Sequence, residues 1–557
     1  MGPVRSRSPL SGMLARRGPG GVWIIVLAVL AVVALVLAAL AYAATLPYAP
    51  YDPPSDSRDP RPDLRRYYQQ TLSWTHCGRH GVSGGVRTPA AVSAMRCARL
   101  KVPLDYSAPA KGTLTLAVSR FGASGGRHRL GSLVFGFGGP GGSGVDQLAA
   151  HIGGLARLRQ SYDLIGLDPR GWGRSHPLTC TDPRGAAPVA ASADTAAPGD
   201  ADPVDDAAVQ LRTEAQQYAD HARDCARLSG PMLPYVGTTN IARDLDVLRQ
   251  ALGDRKLNYF GTSYGSQLGA VYAHQFPHHT GRFVLDGIVD PTSDTKRTAL
   301  ARANEDERGI RDFLTDCLRR HGAECPFHGT VDTAEARLRR AYDALDGHPL
   351  AVRGAVLDQQ TFSHALADSV FDQGEWHALR SALRALVIRR DALPLARLGG
   401  ATGPGGAGVT RRVAAGDPPA DNAYAASLAV RCRDSADRYT PQEAQAVLPS
   451  LVRAAPILGP LGVHELLACT GWVGGGDDSW RDVRAGGAPH ILMVATATDP
   501  VTPHGGARRM AEATGVGVVL TYRGQGHGAY RLSECVRQRV DRFLRTGLMP
   551  ADGSTCD

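Results

Sequence analysis

The stretch KLNYFGTSYGSQLGAVYAHQFP, Lys256 to Pro277, changes character in its middle. Leu257, Tyr259 and Phe260 favour a strand, helix-forming residues follow from Tyr264, and the change is made across one serine, Ser263, between glycines 261 and 265. A chain turns from strand to helix this abruptly only where the backbone takes a strained conformation, and glycines on both sides give it room to cross. Such a turn lifts the serine Oγ above a sheet and sends a helix back across it. The same letters also arise by chance in a plain turn, so the surroundings decide the reading.

Those surroundings alternate in kind. RCARLKVPLDY and GTLTLAVSRF read as strands, the second with Leu114, Leu116 and Val118 alternating against Thr113, Thr115 and Ala117, as suits an antiparallel entry to a sheet. Ser132–Phe135 and Tyr162–Asp168 are short apolar runs ending in glycine-rich or charged turns, the pattern of buried parallel strands. A helix is expected over 239–252, with Ile241, Leu245, Leu248 and Leu252 on one face, and a further strand within Arg282–Pro291. Strand, helix, strand, helix in this rhythm predicts an α/β fold with a mostly parallel sheet flanked by helices. The rhythm stops over 292–485, where AEARLRRAYDAL and EWHALRSALRALVIRR predict an inserted helical cap, and the glycine-rich GGATGPGGAGVT reads as a loop. It resumes with HILMVATATDP, GVVLTYRGQGH and a terminal amphipathic helix carrying Val536, Val540, Phe543 and Leu544. The expected division is therefore a core over 65–291, a cap over 292–485 and the rest of the core over 486–557.

The N-terminus adds a different signal. Val22 to Ala44 is 23 residues without a charge, proline or glycine, long enough at a helical rise to cross a hydrocarbon layer of roughly 30 Å. Arg5, Arg7, Arg16 and Arg17 precede it with no matching cluster after it, which places a basic tail over 1–21 in the cytoplasm and the rest of the chain outside. A membrane anchor is expected, with a cleavable signal peptide as the competitor because Ala41–Ala43 reads AYA. The Pro- and Asp-rich stretch 45–64 then reads as a stalk. The net charge of +9 owes four charges to that tail, and no run of basic residues interleaved with aromatics suggests a nucleic-acid groove. Ten cysteines fall in neighbouring couples, 77 with 97, 180 with 225, 317 with 325, 432 with 469 and 535 with 556. In an exported chain these are expected as five local disulfides, although spacing alone does not fix connectivity. Metal binding is the alternative, and none of the couples has the CxxC form.

A serine hydroxyl is a weak nucleophile and needs a general base held by a third group. With the serine on a turn of this kind the partners follow in the order serine, acid, histidine. Asp499, in the turn TDPVTP after a strand, and His527, in RGQGHGAY after the next, satisfy both place and order, against the blander readings of a helix cap and a loop histidine. Acyl transfer also needs donors for an oxyanion. The amide of Tyr264 is one candidate, and the Gly138–Gly139 region of FGFGGPGGSG is the other. No GK[ST] follows that loop, so a phosphate cradle is disfavoured. The histidines of HQFPHH, 274–279, are interrupted by Pro277 and lack a carboxylate cluster, so no metal or other cofactor is expected.

GGPGGSG, DPRGWGRS, GTSYGS, VLDGIVDP, DPVTP and GQGH, in this order from about Cys97 to the C-terminus, together resemble the exported tripeptidyl aminopeptidases of the α/β-hydrolase superfamily, relatives of the proline iminopeptidases. The resemblance implies a serine exopeptidase that removes short peptides or single residues from free N-termini, with Ser263, Asp499 and His527 as its triad. One departure is that relatives commonly carry His or Asn ahead of GGPG, where Gly136 and Phe137 stand here. An aminopeptidase must also hold the substrate's ammonium, and Glu305, Asp306, Glu307, Glu375 and Asp434 are acids of the cap that could do so or could be ordinary surface charges. An esterase or amidase would use the same groups, and a catalytically silent wall-associated binding protein is the reading from outside enzymology.

Overall fold

The computed structural model describes residues 63–77, 93–181, 203–320, 322, 324–352, 355–400 and 418–557. The expected tail 1–21, the apolar run 22–44 and nearly all of the stalk lie outside the described residues. Among the described residues no helix is long and apolar enough to cross a membrane.

Among the described residues ten strands form one sheet: β1 (Thr75–His76), β2 (Met95–Pro103), β3 (Thr113–Phe121), β4 (Ser132–Gly136), β5 (Asp163–Leu167), β6 (Leu257–Thr262), β7 (Thr280–Asp286), β10 (Ile491–Thr498), β11 (Gly517–Gln525) and β12 (Ser554–Cys556). A separate hairpin pairs β8 (Leu350–Val352) with β9 (Ala355–Leu357). The spatial order is β1-β2-β3-β5-β4-β6-β7-β10-β11-β12. The first strands pair antiparallel up to the β3–β5 contact, and from β5 onward every pairing is parallel. β4, β5 and β10 are buried along nearly their whole length because both faces of the sheet are covered there. On one face Val134, Ile165, Tyr259, Phe283 and Met493 pack under helices Thr238–Ala251, Tyr264–Gln275 and Gly505–Thr514. On the other, Leu133, Phe135, Phe260, Val284 and Leu492 pack under Gly144–His151 and Glu534–Thr546, the latter through Val536, Val540, Phe543 and Leu544.

A third apolar cluster is built by helices Thr295–Arg320, Val331–Asp343, Gln359–Val370, Trp376–Arg389 and Pro441–Ala454. It includes Leu211 and Ala215, from the long helix Pro203–Ser229 that precedes β6 in sequence. Conversely, helix Asn422–Asp434 sends Ala425, Ala426 and Ala429 into the sheet's cluster, joined there by Trp472, Trp480 and Ala485. The interval 292–485 is thus shared between cap and core packing. Two short helix-rich stretches look alike in sequence whether they cover a sheet or other helices, so periodicity does not assign them.

All ten cysteines are paired, in the five local couples expected from their spacing. Cys535–Cys556 ties helix Glu534–Thr546 to β12, which pairs with β11 at the sheet edge through Leu520, Thr521 and Tyr522. Sequence periodicity gave no sign of this three-residue strand. A C535S/C556S variant frees the chain terminus in the unfolded state, worth ~3 kcal/mol for a loop of this size, and should lower the melting temperature by several degrees in differential scanning calorimetry; an unchanged melting point would show that β12 is held by its ladder alone.

Candidate active site

β6 ends at Thr262, and Ser263 adopts φ 58° and ψ −122° before helix Tyr264–Gln275 begins. A non-glycine residue with positive φ is held there only by its surroundings. Those surroundings are close: a β-carbon placed on Gly265 would fall 1.9 Å from the Gly136 carbonyl oxygen, so the first turn of the helix rests directly on the end of β4. The Tyr259 hydroxyl donates to the Gly265 carbonyl at 2.8 Å, and the Ser263 amide donates to the Asp286 carbonyl at 2.9 Å. The turn is therefore fastened to β4, β6 and β7 at once.

Asp499 follows β10 and is fully buried. Its carboxylate accepts the amides of Val501 and Thr502 at 3.0 and 2.9 Å and the Thr502 hydroxyl at 2.8 Å. His527, beyond the end of β11, presents Nδ1 to the two Asp499 oxygens at 3.1 and 3.0 Å. The His527 side chain is 24% exposed while that of Asp499 is fully buried. Among the described residues the Ser263 hydroxyl makes no hydrogen bond to His527; such bonds are often long without substrate and tighten in the Michaelis complex.

Asp286, at the end of β7, joins the two halves of this arrangement. Its carbonyl holds the Ser263 amide, while its buried carboxylate accepts the Ala529 and Tyr530 amides, both at 2.9 Å, just after His527. Gly287 follows with φ +70°, and a β-carbon there would lie 2.9 Å from His527 Cε1 and 3.1 Å from Thr502 Oγ1. Sequence reasoning did not single out Asp286 or Thr502. The signal was present in VLDG, an acid and a glycine at the end of a strand, and in the threonine three residues after Asp499.

The loop after β4 lies against the serine. A β-carbon on Gly138 would sit 2.7 Å from Ser263 Cβ and 3.2 Å from its Oγ, and Gly139 lines the same cleft as Ser263 and Tyr264. Phe137, at the start of that loop, stacks on Phe135 and on the His151 ring, with centroids 5.8 and 5.9 Å apart. The loop's support there is aromatic rather than polar. The Tyr264 ring is buried, its hydroxyl 2.7 Å from Thr238 Oγ1.

The cleft over Ser263 has a volume of about 190 Å³. Helix Thr295–Arg320 supplies Thr298 and Arg302 to its wall, the core-packed helix supplies Asp434, and Glu465 and Asp290 also face it. Of the five cap acids named from sequence, only Asp434 lines this cleft; Glu465 and Asp290 escaped notice because a lone acid carries no periodic signal. Asp434 accepts from the Thr238 amide and hydroxyl and from Gln267 Nε2, at 2.8, 2.5 and 2.9 Å. Glu375 lies at the start of helix Trp376–Arg389, away from the cleft wall. Among the described residues, the group of His, Cys and acidic side chains near enough to share a metal is Cys180, His221 and Cys225. Its two sulfurs are bonded to each other, so neither is the thiolate a metal needs.

Burial pushes Asp286 up to about 6 and Asp434 up to about 7, in each case against hydrogen bonds that favour the charged form. Both values lie above the 3.8 of a free aspartate, so the folded chain binds protons that the unfolded chain releases. The stability these groups contribute is complete below about pH 4 and is lost as pH rises through 6 and 7. The melting temperature should therefore be a few degrees higher at pH 5 than at pH 8; a flat or reversed profile between these values would contradict the assignment.

Residues 455–556 match the family model described as TAP-like protein. Over 471 residues the chain is 31% identical to a tripeptidyl aminopeptidase of Streptomyces coelicolor, covering 83% of each. It is 28% identical over 513 residues to the serine protease Hip1 of Mycobacterium tuberculosis, covering 87% of this chain and 91% of that one. It is also 29% identical over 501 residues to a carboxylesterase B of Mycobacterium tuberculosis, covering 87% and 89%. With its largely parallel, helix-covered sheet, its five disulfides of an extracytoplasmic protein and these relatives, the chain belongs to the tripeptidyl aminopeptidase family of α/β-hydrolases and is a serine hydrolase of the peptidase kind.

Proposed function

We propose that Ser263, His527 and Asp499 are the nucleophile, general base and orienting acid of an exopeptidase that releases short peptides, of tripeptidyl or prolyl type, from free N-termini. The observation that carries this reading is the His527–Asp499 couple: Nδ1 is committed to a buried carboxylate, so Nε2 is the nitrogen left to accept a proton.

In the cycle, Ser263 Oγ bonds to the substrate carbonyl carbon as its proton passes to His527 Nε2, and the carbonyl π pair moves onto oxygen. Asp499 stays ionised and stabilises the imidazolium, itself supported by the Val501 and Thr502 amides and the Thr502 hydroxyl. The amides of Tyr264 and of the Gly138–Gly139 region donate to the oxyanion, a contribution of ~3–4 kcal/mol per donor in comparable sites. His527 then returns its proton to the departing amine, the C–N bond breaks, and water repeats the sequence on the acyl-enzyme. Peptides with free N-termini are the substrates on this reading, which the name of the tripeptidyl aminopeptidase relative supports. The run Val22–Ala44 serves as a membrane anchor, or is removed as a signal peptide, and leaves this chemistry outside the cell in either case. Esterase activity is the second reading, favoured by the relative named carboxylesterase B.

Tripeptidyl p-nitroanilides offered with free and with acylated N-termini separate the two readings. Exopeptidase action predicts kcat/KM at least about 100-fold higher with the free amine; equal rates, or turnover of simple esters alone, would overturn it. Thr502→Val leaves the buried Asp499 one donor short and should lower kcat about 10- to 100-fold with little change in KM, whereas a change confined to KM would remove Thr502 from the chemistry.

A further inference from the structure

Two hydrogen bonds join the cap to the turns that carry Asp499 and His527. The first falls on the turn after β10. Val501 donates its amide to the Asp499 carboxylate at 3.0 Å, and its carbonyl accepts Arg302 Nε, from helix Thr295–Arg320, at 3.1 Å. Val501 is 37% exposed, so its side chain gives the turn little anchorage and the bonds to its backbone carry more of that task. Arg302 is itself aimed by its ion pair with Glu465 of helix Gly462–Leu467.

The second bond falls on the turn after β11. Gly526 and Gly528 flank His527 with φ of +110° and +82°, and a backbone with glycine on both sides is not fixed by its own sterics. Bonds from outside the turn therefore place the ring. The core supplies some: the Gly526 amide donates to the Thr498 carbonyl at 2.9 Å, and the Asp286 carboxylate holds the Ala529 and Tyr530 amides. The cap supplies another, because Gln525 Nε2 donates to the Val370 carbonyl at 3.2 Å. That carbonyl ends helix Gln359–Val370, where the last carbonyls have no partner within the helix. Trp376 Nε1 donates to the same oxygen at 2.9 Å and fixes it from the cap side. Gln525 is 8% exposed, and an amide so enclosed is costly to leave without a partner.

Both contacts come from one packed body. Ile310, Phe313 and Leu314 of the first cap helix share an apolar cluster with Phe362, Leu366 and Val370 of the second, and with Val463, Leu466 and Leu467 around Glu465. A β-carbon on Gly309 would lie 2.7 Å from Phe371 Cε1, so the first helix also rests on the residue that follows the second.

We propose that Arg302 and Gln525 are positioning residues that clamp the Asp499 and His527 turns to the cap, so that acid and base are aligned only while the cap is seated. The inference rests on the Ser263–His527–Asp499 reading and deepens it. Neither residue needs to touch substrate for this role. Arg302 also lines the cleft, so an effect on chemistry has to be separated from one on binding.

Two variants release the clamps one at a time. Arg302→Lys keeps a cation for Glu465 and the cleft but gives up the rigid guanidinium fork that reaches Val501. Gln525→Met keeps the bulk of the side chain and gives up its donor. Each should lower kcat for a tripeptidyl p-nitroanilide about tenfold, with KM changed less than about twofold. The second readout is phosphonylation by a small alkyl fluorophosphonate, which offers no peptide for the cap to bind. Ser263 Oγ bonds to phosphorus, fluoride leaves and the Oγ proton passes to His527, so this rate should fall in the same proportion as kcat. Arg311→Met, on the same helix as Arg302 but paired with Asp332 and Glu335, should match the parent in both measurements. Thermal melting shows whether each variant folds, and because the two residues lie on different elements either one tests the clamp. Labelling at the parental rate with a raised KM would overturn the clamp and leave the triad in place, as would loss of folding in both variants. A fall confined to one variant would overturn the two-point form. A parent that the probe does not label at Ser263 would overturn the triad reading itself.

Discussion

The contact on which the site depends is between two backbones. The helix after Ser263 can approach the end of β4 because Gly265 carries no side chain: a β-carbon there would overlap the Gly136 carbonyl, and one on Gly136 would overlap the Tyr259 hydroxyl that donates to the Gly265 carbonyl. That approach compels the positive φ of Ser263 and brings the loop after β4 over its hydroxyl. The strain of one residue is thus over-determined by three strands, as a site that must keep its geometry requires.

Much of this was legible in the letters. The glycine-flanked serine is a local signal, because the backbone conformation it needs excludes most residues. The parallel strands were legible because strands buried on both faces must be apolar throughout, and Asp499 and His527 because each ends such a run. What escaped notice was non-local. Asp286 matters because its carbonyl and its carboxylate reach segments more than two hundred residues apart in opposite directions of use, one at Ser263 and one at Ala529 and Tyr530. Thr502 looks like any turn threonine until its hydroxyl is seen on Asp499. β12 is too short to show a period, and the helix Asn422–Asp434 has no pattern that tells a sheet from a bundle as its partner.

The electrostatics of the cleft follow from the same economy of partners. Acids that build the scaffold are enclosed by donors: Asp244 receives Arg170 and Tyr106, and Asp246 receives Arg249, Tyr272 and His279. His279, the last residue of HQFPHH, serves this scaffold through Asp246.

Each disulfide closes within a single apolar cluster. Cys77–Cys97 and Cys535–Cys556 belong to one face of the sheet, Cys180–Cys225 and Cys432–Cys469 to the other, and Cys317–Cys325 to the helices above. Oxidation therefore stiffens the layers one by one and places no covalent stitch across the seam between them.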